Sequence, residues 1–95
     1  MSGEVVKLKV AIAERELTVK GRVAWALDNL IKAGERGCTP IDHPGPRWSD
    51  YVFKMRRDGV GVQTIHESHK GAFSGTHARY VLASPVEILD REVKS

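Results

Sequence analysis

The sequence predicts a single α+β domain in which two amphipathic helices lie between two β-hairpins. Three observations carry this. Apolar residues alternate from Val6 through Leu8, Val10 and Ile12, and again from Ala78 through Tyr80 and Leu82, the period of half-buried strands. Over 21–34 and 47–58 apolar residues recur at spacings of three and four, the period of helices with one buried face. The 95 residues amount to one domain, because chains usually divide at ~100–200 residues per domain.

Each element has its own justification. Residues 5–12 form a strand with Lys7 and Lys9 on the face opposite the apolar set. A polar break at 13–16 and renewed alternation at Leu17–Val19 make this a hairpin. In the first helix Val23, Leu27 and Leu30 form the stripe, flanked by Ala24, Ala26 and Ile31, and Gly34 and Gly37 end it. Trp25 lies roughly 200° from Val23 on the helical wheel. It is expected either under the N-terminal hairpin or exposed as a contact surface. Cys38–Ile41 reads as a brief strand or lead-in turn, and the prolines and glycine of Asp42-His43-Pro44-Gly45-Pro46 exclude regular helix there. From Arg47 the helical period returns, with Trp48, Tyr51, Val52 and Met55 inward and Gly59 as the stop. Residues 60–67 and 77–83 read as a second hairpin with a nine-residue loop from Ser68 to Thr76. After Pro85, the short apolar Val86–Leu89 is expected to pair or pack near the N-terminal hairpin, and 90–95 to fray.

Composition removes several function classes. The longest apolar run is Val23–Leu27, far short of the ~20 residues of a membrane span, and the N-terminus has no signal-peptide pattern. A single cysteine, Cys38, allows no internal disulfide and fits the cytoplasm. His43, His66, His69, His77 and Cys38 lack the paired short spacing of a zinc site. No phosphate-binding glycine loop, nucleophile elbow or other catalytic motif occurs, so no enzyme and no small-molecule cofactor is expected. The net charge of +3 is modest, but residues 20–80 hold ten cationic and six acidic side chains. Arg47, Lys54, Arg56 and Arg57 fall within eleven residues, and such a local basic patch is the stronger electrostatic signal.

The stretch from Gly21 to Leu82 resembles the winged helix-turn-helix family of DNA-binding domains, most nearly its small bacterial and phage members. The first helix leads through Gly37-Cys38-Thr39-Pro40-Ile41 into the place of the family's second helix. Tyr51–Val62 looks like the end of a recognition helix turning into a strand, and Gln63-Thr64-Ile65 with Ala78–Leu82 looks like the strands of a wing. The resemblance implies a winged helix-turn-helix with an additional N-terminal β-hairpin and a second helix shortened to a turn or lost around His43–Pro46. The expected organisation is one domain, 1–95: hairpin 1–19, winged-helix core 20–83 and C-terminal extension 84–95.

In such a fold the recognition helix enters the major groove and the wing touches the backbone or minor groove. On helix 47–58 the wheel sets Arg47, Asp50, Lys54 and Arg57 opposite the buried face, with Phe53 among them and Ser49 at the flank. Arg bonds guanine edges, Lys and Ser hold phosphate, and Asp50 accepts from cytosine or orients Arg47. His69, Lys70, His77 and Arg79 supply donors on the wing, with Phe73 at its tip. The expected partner is duplex DNA, for a small transcriptional regulator or a phage-derived accessory factor. A homodimer remains open, through the edge of the N-terminal hairpin or the C-terminal segment. The rival reading is a winged-helix protein-interaction module that binds no DNA, because fold does not fix function. A third is RNA binding with Tyr51, Phe53 and Phe73 as stacking residues.

Overall fold

The computed structural model describes residues 4–45, 47–69 and 75–94. In chain order the elements are β1 (Glu4–Ile12), β2 (Arg15–Lys20), α1 (Gly21–Ala33), a 3-10 turn (Gly34–Arg36), α2 (Trp48–Arg57), β3 (Val62–His69), β4 (Gly75–Leu82) and β5 (Glu87–Lys94). This is an α+β winged-helix architecture with an added N-terminal hairpin. The strands form a three-stranded sheet of order β2-β1-β5 and a two-stranded ribbon of β3 and β4.

The alternation in β1 does what its period dictates: Leu8, Val10 and Ile12 are buried while Lys7 and Lys9 stay exposed. The break before β2 is only two residues, since Ile12 pairs Arg15 and Ala11 pairs Glu16. Ala13 holds φ +55° in that turn, a left-handed conformation that side chains resist. Polar residues in β2 hid its first half from the alternation, because an edge strand tolerates charge on its exposed face.

The C-terminal segment departs further from expectation. It pairs with β1, but 90–94 are strand rather than frayed, running from Ala11 opposite Glu87 to Glu4 opposite Lys94. The register skips Val6 on β1 and Leu89 on β5, so each is a bulge residue. What fixes this polar strand is an internal partner: Arg91 reaches α1 and donates two hydrogen bonds to Oδ1 of buried Asp28, at 2.9 and 2.6 Å.

α1 packs on β1 through Ala24, Leu27 and Leu30, all fully buried. Each large side chain buried this way contributes about 1.5–3 kcal/mol. Trp25 follows neither expected course. It is half-buried against Trp48, ring centroids 5.5 Å apart, with the Arg22 guanidinium 4.0 Å above its ring. The wheel gave the direction correctly, but the cover on that side is α2 and not the hairpin.

After α1 the chain approaches β4 closely. Gly37 has φ +69°, and a Cβ there would stand 2.3 Å from the Tyr80 carbonyl oxygen, so only glycine fits. The next residue, Cys38, exchanges two backbone hydrogen bonds with Tyr80, at 2.9 and 2.8 Å, and adds a stub of third strand to the ribbon. The second-helix stretch is reduced to one turn: the His43 N–H donates to the Thr39 carbonyl, and the Asp42 N–H to Thr39 Oγ1. Pro44 stops its continuation.

α2 buries Trp48, Tyr51, Val52 and Met55, the four residues its periodicity marks. Gly59, at φ +93°, closes it: the Gly59 N–H donates to the Arg56 carbonyl and the Val60 N–H to that of Met55, a Schellman motif sealed by contact between buried residues. The ribbon strands reach His69 and Gly75, so Ser68, His69, Gly75 and Thr76 are paired strand residues and not part of the expected nine-residue loop. The sequence there is polar on both sides, and two-sided polar strands carry no alternation to read.

Candidate nucleic-acid interface

One face of α2 is committed to the core, so the other defines the candidate surface. Arg47, Ser49, Phe53 and Arg57 are exposed, and Asp50 and Lys54 half-exposed. Phe53 is 63% exposed, which places a large apolar ring in water in the middle of this face. Arg47 stands at the helix N-terminus and has no ion pair among the described residues.

The other cations of the helix are not bare. Lys54 Nζ lies 3.1 Å from Asp50 Oδ2, and Arg57 Nε lies 3.8 Å from Asp58 Oδ1. Asp50 therefore pairs with Lys54, not Arg47. Exposed pairs of this kind contribute only about 0–1 kcal/mol, so a phosphate can displace the carboxylate at little cost. Arg56 turns to the ribbon, donating through Nε and Nη2 to the Val62 carbonyl and through Nη2 to Thr64 Oγ1. It caps the open edge of β3 and fixes the angle between α2 and the ribbon.

On the ribbon, His77 and Arg79 converge on Glu67. Arg79 Nε is 2.6 Å from Glu67 Oε2, and His77 Nε2 is 3.1 Å from Oε1. The Arg79 hydrogen bond holds the Glu67 carboxyl below its usual range, and Glu67 in turn raises the Arg79 guanidinium. Arg79 also donates to the Arg36 carbonyl at 2.9 Å, so this guanidinium braces the ribbon against the end of α1. Lys70 and Phe73, with the rest of 70–74 and the side chain of His69, lie outside the described residues.

The structure thus brings Ser49, Asp50, Lys54 and Arg57 onto one helix with Arg47 at its N-cap, and sets His77 and Arg79 apart from it on β4. Sequence reasoning missed the fixing role of Arg56 and the carboxylate Glu67. Neither has a local signal, since each acts on a partner in another element. Cys38 is fully buried, and burial pushes its thiol up to about 11, so it is an inert packing residue at neutral pH. Among the described residues no group of three or more His, Cys, Asp or Glu could hold a metal ion, and no helix is long and apolar enough to cross a membrane.

A first helix, a bridged stub, a single turn, a second helix and a two-stranded ribbon define the winged helix-turn-helix class. Residues 16–92 match the family model described as a winged helix domain, and the chain belongs to that family. Nothing matches among curated proteins or among solved structures. The fold is of the kind that DNA-binding regulators use.

Proposed function

We propose that this chain binds duplex DNA, with α2 in the major groove and the β3–β4 ribbon along the backbone. It would act as a small transcriptional regulator or a phage-derived accessory factor. The observation that carries this reading is the outer face of α2, where Ser49, Phe53 and Arg57 recur every four residues and remain exposed on a helix anchored by its other face. Arg57 suits a guanine edge, and Phe53 suits a thymine methyl. Lys54 and Arg47 suit phosphates on either side, with Asp50 releasing Lys54 on contact.

The test is fluorescence anisotropy on duplex DNA over a salt series. Arg57→Ala should weaken binding about 10- to 100-fold, and Lys54→Ala should lower the slope of log K against log salt by about 1. Replacing thymine by uracil should weaken the wild type but leave Phe53→Ala unaffected. One observation favours a second reading: the exposed Phe53 beside cations already paired with Asp50 and Asp58 also suits a protein-docking module. Absence of duplex binding at about 50 mM salt would decide for docking.

A further inference from the structure

We propose that the outer face of the three-stranded sheet is a second phosphate-contacting surface for the same duplex, with Lys7 and Lys20 as its contact residues; this rests on the DNA-binding reading above. The strand register sets Lys7 directly opposite Lys20, and like charges directly opposite are destabilising in a sheet. Neither lysine has an ion pair among the described residues. Their neighbour Lys9 is held by Glu16 at 3.2 Å. Glu92 stands opposite Lys7 on the β5 side without forming an ion pair with it. The fold therefore holds side by side two ammoniums that form no ion pair among the described residues, an arrangement that an anion between them would stabilise.

Their position indicates which anion. A cleft of about 530 Å³ is lined by Lys7, Lys9, Thr18, Lys20 and Asp90. Thr18 and Lys20 also line a second cleft, of about 390 Å³, which runs between β2 and α2 to Lys54 and Arg57. Lys7, Lys20, Lys54 and Arg57 thus lie along one course from the sheet to the end of the proposed recognition helix, with Asp90 and Asp58 on its walls, the course a flanking phosphate backbone would take. Lysines are flexible point charges that hold phosphate without reading bases. β1, which supplies Lys7, precedes the family-matching residues 16–92, so the added strand extends the footprint of the fold beyond its helix and wing.

The test is the salt dependence of duplex binding for Lys7→Gln/Lys20→Gln against the wild type. Two phosphate contacts predict that the slope of log K against log salt falls by about 2, at about 0.9 per contact. The loss should be uniform across sequences, with the thymine-to-uracil effect of the wild type retained. The variant should melt no lower than the wild type, because the substitution removes a like-charge pair, so weakened binding is not unfolding. A wild type that binds duplex with the slope unchanged in the variant overturns this proposal alone. So does an equal loss per lysine from Lys94→Gln, at the far edge of the sheet, which would make the effect one of net charge. A wild type that binds no duplex at about 50 mM salt overturns both this proposal and the function on which it rests.

Discussion

Asp28 is only 2% exposed although it lies on the charged side of the sequence pattern of α1. Its carboxylate is shared: Arg91 takes Oδ1, and Lys32 Nζ lies 2.9 Å from Oδ2. The two cations are not equivalent. The Lys32 side chain is 62% exposed and that of Arg91 35%, so water already competes for the lysine. Removing Arg91 leaves a buried charge with one screened partner, which is costlier than losing the screened partner itself. Arg91→Ala should destabilise the protein by about 2–3 kcal/mol, below the upper end for a broken buried pair because Lys32 remains. Lys32→Ala should cost less than about 1 kcal/mol, both read from urea midpoints. Equal costs for the two would show that Asp28 is less desolvated than the structure indicates. No local pattern announces this pair, because its members lie 63 residues apart, whereas Trp48, Tyr51, Val52 and Met55 were legible as buried from spacing alone.

Elements were legible where one face is apolar and the other polar, as in β1, α1 and α2, and where glycine punctuates, as at Gly59. They were illegible where both faces are polar. β5 holds its place through Arg91 and pairing with β1, and the far ends of β3 and β4 hold theirs through a register that Val62 and Leu82 set at the other end. The first hairpin carries a local conflict of its own, with Ala13 at φ +55° in a two-residue turn. Positive φ only at the first central residue matches the turn that favours glycine there. A non-glycine residue in this conformation costs about 1–2 kcal/mol, partly offset by the greater entropy glycine loses on folding. Ala13→Gly should therefore stabilise the protein by about 0.5–1 kcal/mol, a rise in Tm of a few degrees for a domain of this size. Ala13→Val should do the reverse. A lower Tm for Ala13→Gly would refute the positive-φ turn.

At the scale of the molecule, the order of elements was legible, as were the two hairpins and the pairing of the C-terminal segment with the first of them, but what joins the two sheets was not. Two separate sheets leave open whether the chain is one cooperative unit, and the aromatic cluster answers this physically. Trp48 stacks on Tyr80 of the ribbon with centroids 5.8 Å apart and planes at 15°, meets Tyr51 edge-on at 6.3 Å, and contacts Trp25 of α1. Its indole N–H donates to the His43 carbonyl at 2.7 Å, so one side chain ties both helices, the ribbon and the truncated second-helix turn together. α1 in turn carries this cluster to the sheet through Leu27, Leu30 and Asp28. The candidate interface depends on that linkage, because α2 and the ribbon keep one relative orientation only while Trp48 and Arg56 hold their angle. Trp48→Ala should cost about 3–5 kcal/mol, a large share of the 5–15 kcal/mol typical of a domain. Tryptophan fluorescence senses the cluster, and far-UV circular dichroism senses all elements including the three-stranded sheet. In urea the two signals should fall at one midpoint in the wild type, and at one lower midpoint in Trp48→Ala with Trp25 as the remaining reporter. If circular dichroism persisted after the fluorescence transition, the sheet would be a folding unit in its own right, and the track from Lys7 to Arg57 would not be a rigid surface.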